Sequence, residues 1–295
     1  MTILSLVVLS TPTVMAADGT NTAVTGATVT NSLPVSSAVD ITLTAIDLTE
    51  ATHTHVAVTA TVTDNNSCEQ ITGVTAKLYR TDLTSNCTAP DLNNCLSPVA
   101  MTIVESGNTC TPGGTDLSAD YTASIEVLYY ADPTDDNVLG PTWSVHVIPS
   151  DAGGAGTAGT DDTAEMNTLT ALNVSTPIAY GPLALSGVTA DTTDYDTTVT
   201  NTGNKATIGV QVKSGAATAM TCTIGTIPVG NEKYDDVSTT AYASKIALTA
   251  GDVTVADVSA AKGVSSNTDT VGWGLQMPAS GVSGTCAGTV VFTAI

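Results

Sequence analysis

Positive charge is scarce in this chain: 7 Lys and Arg stand against 28 Asp and Glu over 295 residues, a formal net charge of −21. Nucleic acids and anionic membrane surfaces reward clustered Lys and Arg, so neither is an expected partner. Aromatic residues are nearly as rare, at 4% with one Phe and two Trp. That leaves no sugar-stacking cleft for a pair of glycosidase carboxylates to serve. No apolar run reaches the ~20 residues of a membrane helix, so no stable membrane span is expected. There is no G-x-S-x-G, no Gly-rich phosphate loop before a helix, and no His beside a plausible catalytic Ser or Cys. The chain reads as a protein that is not an enzyme.

What is present is Thr, Ala and Val in alternation. Thr200-Asn-Thr-Gly-Asn204 before Ile208-Gly-Val-Gln-Val212 carries the Asn and Gly of a hairpin turn beside β-branched residues. Val39–Ile46, His55–Val62, Ile71–Tyr79, Tyr121–Tyr130 and Thr142–Ile148 alternate as strands, with a short one near Met101–Val104. In the second half Leu169–Val174, Ala184–Ser186, Asp196–Asn201, Thr207–Lys213, Thr221–Ile224, Trp273–Met277 and Thr289–Ala294 read the same way. Asp252–Ala261 alternates poorly and is expected as a short helix. The length fits about two domains. The fold class is all-β, with two Ig-like or jelly-roll-type β-sandwich domains in tandem: an acidic one over 37–148 and a second over 168–295. Residues 17–36 read as a flexible lead-in and the Gly-rich, acidic 149–167 as a linker. The charge divides there, with 19 acids and 2 bases up to Met166 and 9 acids and 5 bases beyond.

Residues 1–16 hold an apolar run, Ile3-Leu-Ser-Leu-Val-Val-Leu9, before the small-residue site Val14-Met-Ala16. They read as a signal peptide or, if retained, as a donor strand in which Ile3, Leu4, Leu6, Val7, Val8 and Leu9 enter a neighbouring subunit. Six cysteines accord with an oxidising, extracellular or cell-surface location, and none lies in a C-x-x-C metal module. In the second half only Cys222–Cys286 is available. The first half allows three pairings, of which the nested Cys68–Cys110 with Cys87–Cys95 is favoured. Asn65, Asn86 and Asn173 open N-glycosylation sequons.

Metal chemistry has two candidates. Asp132, Asp135, Asp136 and Asn137 crowd one loop, as Ca²⁺ ligands do, and Asp191, Asp194 and Asp196 another, but neither has EF-hand spacing. Ca²⁺ at the first loop is the only cofactor entertained. His53 and His55, two apart, share a strand face, and His146 sits on a strand that could lie nearby. Without a carboxylate or thiolate placed to complete a Zn²⁺ or Cu²⁺ site, the three read as surface or satisfied histidines.

Asn201-Thr-Gly-Asn204, Ile227-Pro-Val-Gly-Asn231, Trp273-Gly-Leu-Gln-Met-Pro278 and Gly288-Thr-Val-Val-Phe-Thr-Ala294 form a set that resembles secreted β-sandwich proteins of bacterial and archaeal cell envelopes and surface fibres. Val62-Thr-Asp-Asn-Asn-Ser-Cys68 and Tyr129-Tyr-Ala-Asp-Pro-Thr134 resemble the Ig-like partner domain of such proteins. More distantly the plan is similar to biofilm-matrix fibre subunits, which polymerise by strand donation. The resemblance implies a structural subunit of an extracellular filament or surface layer whose main partner is itself, a homopolymer. The alternative is a monomeric surface adhesin or glycan-binding module.

Overall fold

The computed structural model describes residues 23–104, 107–135, 140–175, 177–190, 195–237, 239–265 and 267–295. Residues 23–31 belong to a short N-terminal unit and carry neither helix nor strand. The remainder, Ser32–Ile295, is all-β, with two three-residue 3-10 turns as the only helical segments among the described residues. No helix there is long and apolar enough to cross a membrane.

The first strand set comprises β1 (Val35–Ile41), β2 (Ala45–Ile46), β3 (His53–Thr63), β4 (Ile71–Arg80), β5 (Val99–Ala100), β6 (Thr102–Ile103), β7 (Ser118–Leu128), β8 (Trp143–Asp151), β9 (Gly154–Ala155) and β10 (Gly159–Met166). One sheet has the order β1-β3-β7-β6, the other β2-β10-β8-β4-β5, with β9 beside β8. Period-two patterning decides what each strand buries. Val56, Val58, Ala60 and Val62 of β3 point inward and share one core with Val74, Ala76 and Leu78 of β4 and with Val145 and Val147 of β8. Those side chains are small, and the fully buried Trp143 fills the volume they leave. Its indole Nε1 donates to the Asp132 carbonyl at 2.9 Å, so the ring is buried with its polar handle satisfied.

The Gly-rich stretch 149–167 is therefore not a linker. Pro149, Ser150 and Asp151 finish β8, the Asp151 carboxylate accepts from the Gly153 and Gly154 N–H groups at 2.7 and 3.1 Å, and the chain returns as β10 against β8. Its small residues serve close approach rather than flexibility: a Cβ on Gly156 would stand 1.9 Å from the Pro34 carbonyl oxygen. Ala164 and Met166 are fully buried, and Asp161 accepts the Ile41 N–H at 2.8 Å.

The second set comprises β11 (Leu172–Val174), β12 (Asp196–Asn201), β13 (Thr207–Ser214), β14 (Thr218–Ile224), β15 (Thr226–Pro228), β16 (Glu232–Asp235), β17 (Ile246–Ala247), β18 (Val253–Ala261), β19 (Thr268–Leu275), β20 (Ser283–Ala287) and β21 (Val290–Ala294). They form three sheets: β11-β12-β19-β16-β17, β18-β13-β21, and β15-β14-β20. Trp273 of β19 anchors the core they share, within 6.1 Å of the Tyr234 ring and 5.7 Å of the Phe292 ring.

Two local expectations fail here for identifiable reasons. The segment expected as a helix is strand β18: Asp257 adopts a left-handed φ of 57° and the pairing with β13 slips between Ile208 and Val210. This bulge breaks the alternation that would have marked a strand, while Val255, Val258 and Ala260 still face the core. The Asn-Gly turn, in turn, is no hairpin, since β12 and β13 lie in different sheets. Asn201 and Asn204 are wholly buried and use their amides to hold backbone. Asn201 Nδ2 donates to the carbonyls of Lys205 and Ala260. Asn204 accepts the Leu169 N–H at 2.6 Å and donates to the Asn167 carbonyl at 3.0 Å. A Cβ on Gly203 would approach the Leu169 carbonyl oxygen to 2.0 Å, so glycine is required by that contact.

Disulfides join Cys68 to Cys110, Cys87 to Cys95, and Cys222 to Cys286, which face each other on β14 and β20. The Cys222–Cys286 link closes a loop of 64 residues and should contribute about 4 kcal/mol in the chain-entropy account. Urea unfolding of the Cys222→Ala/Cys286→Ala variant is expected to show a loss of that order, whereas an unchanged midpoint would contradict it. Asn204→Ala leaves the half-buried Leu169 N–H and Asn167 carbonyl without these bonds and should cost roughly 1 kcal/mol or more in the same measurement.

Candidate functional site

Two sheet edges of the second strand set flank one cavity. Among the described residues β21 pairs only with β13, and β11 only with β12, so each ends its sheet. Ile295 exchanges hydrogen bonds with Gly209, and the Thr289 carbonyl accepts from Gly215. By antiparallel alternation Val290, Phe292 and Ala294 then direct their N–H and C=O groups away from β13. Beside this edge lies a cavity of about 820 Å³, whose walls include Val174, Met220, Ile227, Leu275, Met277, Phe292 and residues 284–288.

Residues 177–183 run along this cavity. Ile178, Tyr180 and Leu183 pack onto the core, but the backbone of the segment makes no hydrogen bond among the described residues. Pro177 and Pro182 have no N–H to give, so the segment is not a strand of either sheet. Strand-like pairing resumes only beyond it, where Thr189 N–H donates to the Leu275 carbonyl and Met277 N–H to the Gly187 carbonyl. Ala184–Ser186, expected as a strand, instead makes a turn closed by Gly187 N–H onto the Ala184 carbonyl, with Ser186 at φ 59°. The cavity is thus a largely apolar groove between two sheet edges, covered by a strap that, among the described residues, only side chains hold.

The polar side chains in its wall include Ser175, Tyr180, Thr285 and Thr289, and two more are a buried carboxylate and a buried threonine. The Glu232 carboxylate, 3% exposed, accepts the Tyr180 hydroxyl at 2.8 Å. Burial raises the Glu232 pKa, against which the hydrogen bond from Tyr180 acts, and burial together with Glu232 raises that of Tyr180. The other group is Thr197, whose buried Oγ1 has no hydrogen-bond partner among the described residues.

The remaining sequence candidates fall elsewhere. Asp132 is committed to cations of the chain itself: its carboxylate takes Arg80 Nη1 at 2.7 Å and Lys262 Nζ. Asp135 accepts both the N–H and the hydroxyl of Thr168, at 2.8 and 2.6 Å. These two carboxylates are used in tying the strand sets together; Asp136 and Asn137, like Asp191 and Asp194, lie outside the described residues. So do the proposed donor residues Ile3, Leu4, Leu6, Val7, Val8 and Leu9. Asn65, Asn86 and Asn173 are all exposed. His146 lies on β8 in the sheet opposite to that of His53 and His55, with its pKa lowered by burial and by Lys77. The carboxylate that the histidine pair lacked in sequence is Glu126, brought opposite His55 by the β3–β7 register. Spacing along the chain carries no sign of such a cross-strand pair, and none of a groove lined from seven separate segments.

The sequence matches no protein-family model and no curated protein.

The Glu232 shift has a consequence for stability. With its pKa raised on folding, its contribution is fully present below the unfolded carboxyl value of ~4.3 and is lost as pH rises through the higher folded value. Glu232→Gln is therefore expected to lose less stability than the parent chain as pH rises above about 4 in urea titrations. Parallel pH slopes would contradict the assignment.

Proposed function

We propose that the chain is a structural subunit of an extracellular filament or surface layer, in which the open side of the second sandwich receives an apolar strand from a neighbouring copy. The observation that carries this reading is the coincidence of two unpaired strand edges with an apolar groove. An inserted strand would pair with the free N–H and C=O groups of β21 and place alternate side chains in the groove. The strap 177–183 is the kind of cover such a strand can displace, because among the described residues no backbone hydrogen bond holds it.

The donor on this reading is Ile3–Leu9, apolar at Ile3, Leu4, Leu6, Val7, Val8 and Leu9. Seven extended residues reach about 23 Å, enough to run the length of β21. Strand insertion also answers the charge problem. Copies of net charge −21 repel one another, so cohesion must come from a buried, directional contact rather than from surface attraction. Three disulfides support placement outside the reducing cytosol.

Sedimentation velocity on the chain keeping residues 2–16, and on a form beginning at Ala17, tests the proposal. The longer chain should assemble, and the shorter should stay monomeric yet bind a synthetic Thr2–Ser10 peptide with 1:1 stoichiometry. Ala287→Arg, on the exposed rim of the groove, should reduce both assembly and peptide uptake at least tenfold. A longer chain that remains monomeric, with a shorter one that takes up no peptide, contradicts the proposal and leaves the monomeric adhesin. So does a native N-terminus at Ala17.

A further inference from the structure

We propose that His53, His55 and Glu126 form a binding site for a divalent transition metal ion, Zn²⁺ in the first instance. The site lies on the outer face of the β1-β3-β7-β6 sheet, in the first strand set, and is independent of the groove. His53 and His55 project from the same face of β3, and the ladder sets Glu126 of β7 directly opposite His55. One ligand atom from each of the three side chains comes within 4.8 Å of the other two. His53 Nε2 stands 4.0 Å from Glu126 Oε1, and the two imidazoles meet edge to face with ring centroids 5.0 Å apart.

A tetrahedral ion with bonds of about 2.0–2.1 Å needs its ligand atoms roughly 3.3–3.5 Å apart. The observed spacing is thus about an ångström wider than a closed site, a gap that side-chain rotation covers at these exposed positions. The backbone beneath does not have to move, since β3 and β7 are paired along their full eleven residues. Ser124 Oγ lies 3.2 Å from His55 Nδ1. With Nδ1–H donated to that hydroxyl, the His55 ring presents Nε2 to the ion, which is the usual outer support of a ligating histidine.

Two imidazole nitrogens and one carboxylate favour Zn²⁺ or Cu²⁺ over Ca²⁺ and Mg²⁺, which prefer all-oxygen shells. The surrounding field helps, as the bases of the first half, Lys77 and Arg80, lie on β4 of the opposite sheet. Three protein ligands leave a coordination position open. Beside His55 and Glu126 is a groove of about 430 Å³, walled by Leu92 within the Cys87–Cys95 disulfide loop and by Leu96 and Val99 beyond it. Water or a small anionic ligand can reach the ion through it.

Zn²⁺ titration of the full chain, carrying no polyhistidine tag, should give one bound ion per chain by calorimetry, undisplaced by millimolar Ca²⁺. His53→Ala and His55→Ala should each weaken binding tenfold or more, and Glu126→Gln measurably, while His146→Ala leaves it unchanged. These side chains are exposed, so the variants should keep the circular dichroism of the parent. The chain has three histidines, which allows an independent reading in which Zn²⁺ shifts the imidazole proton resonances of His53 and His55 and spares that of His146. Absence of saturable binding, or binding that survives the His53→Ala/His55→Ala double variant, overturns the proposal.

Discussion

Every strand in a sheet needs a neighbour on each side, and a strand without one must give its N–H and C=O groups to water or to another chain. That requirement weighs heavily on a chain with one Phe and two Trp, where bulk side-chain burial is limited and backbone ladders carry much of the structure. In the first strand set long ladders satisfy it, above all the eleven-residue pairing of β3 with β7 and the run of β4 beside β8. In the second set, as in the first, several strands end their sheets, and two of these, β21 and β11, flank the apolar groove. The proposed role in assembly rests on those two edges.

Period-two alternation made the interior strands readable. β3, β4, β7, β8, β12 and β13 lie where Val, Ile and Thr alternate, and even the ends of β19 and β21 are close to the sequence expectation. What was not readable depended on contacts made far along the chain. Gly156 and Gly203 look like punctuation in sequence, yet each is glycine because a carbonyl oxygen, of Pro34 or of Leu169, passes too close for a Cβ. Asp257 hides strand β18 by bulging it, a departure that a periodicity count takes for helix. The groove was invisible for a related reason: its walls come from separate strands whose apolar residues are ordinary core residues in sequence. Only the sheet order shows which of them lack a covering strand.

Charge is also distributed with more structure than its net value conveys. Asp132 takes Arg80 from the first strand set and Lys262 from the second, while its carbonyl receives the Trp143 indole. Nearby, Tyr129 donates its hydroxyl to the Gly263 carbonyl at 3.2 Å, and Thr202 donates its own to Glu50 at 2.6 Å. A loop that reads as a cluster of solvated acids is therefore partly a joint. Removing one partner from such a half-buried set strands the others, which is why its acids cannot be counted as free ligands. The acidity that remains on the surface works against association of copies, a repulsion that the proposed strand insertion has to overcome.

Hydrogen exchange at single-residue resolution tests the open side most directly. In the monomer the account predicts fast exchange at the Val290 and Phe292 amides, which face the groove, beside slow exchange at Val291 and Thr293, which face β13. Adding the Thr2–Ser10 peptide should slow the first pair and leave the second unchanged. Val290 and Phe292 amides already protected in the monomer, or indifferent to the peptide, would show that this edge is closed and would contradict the account.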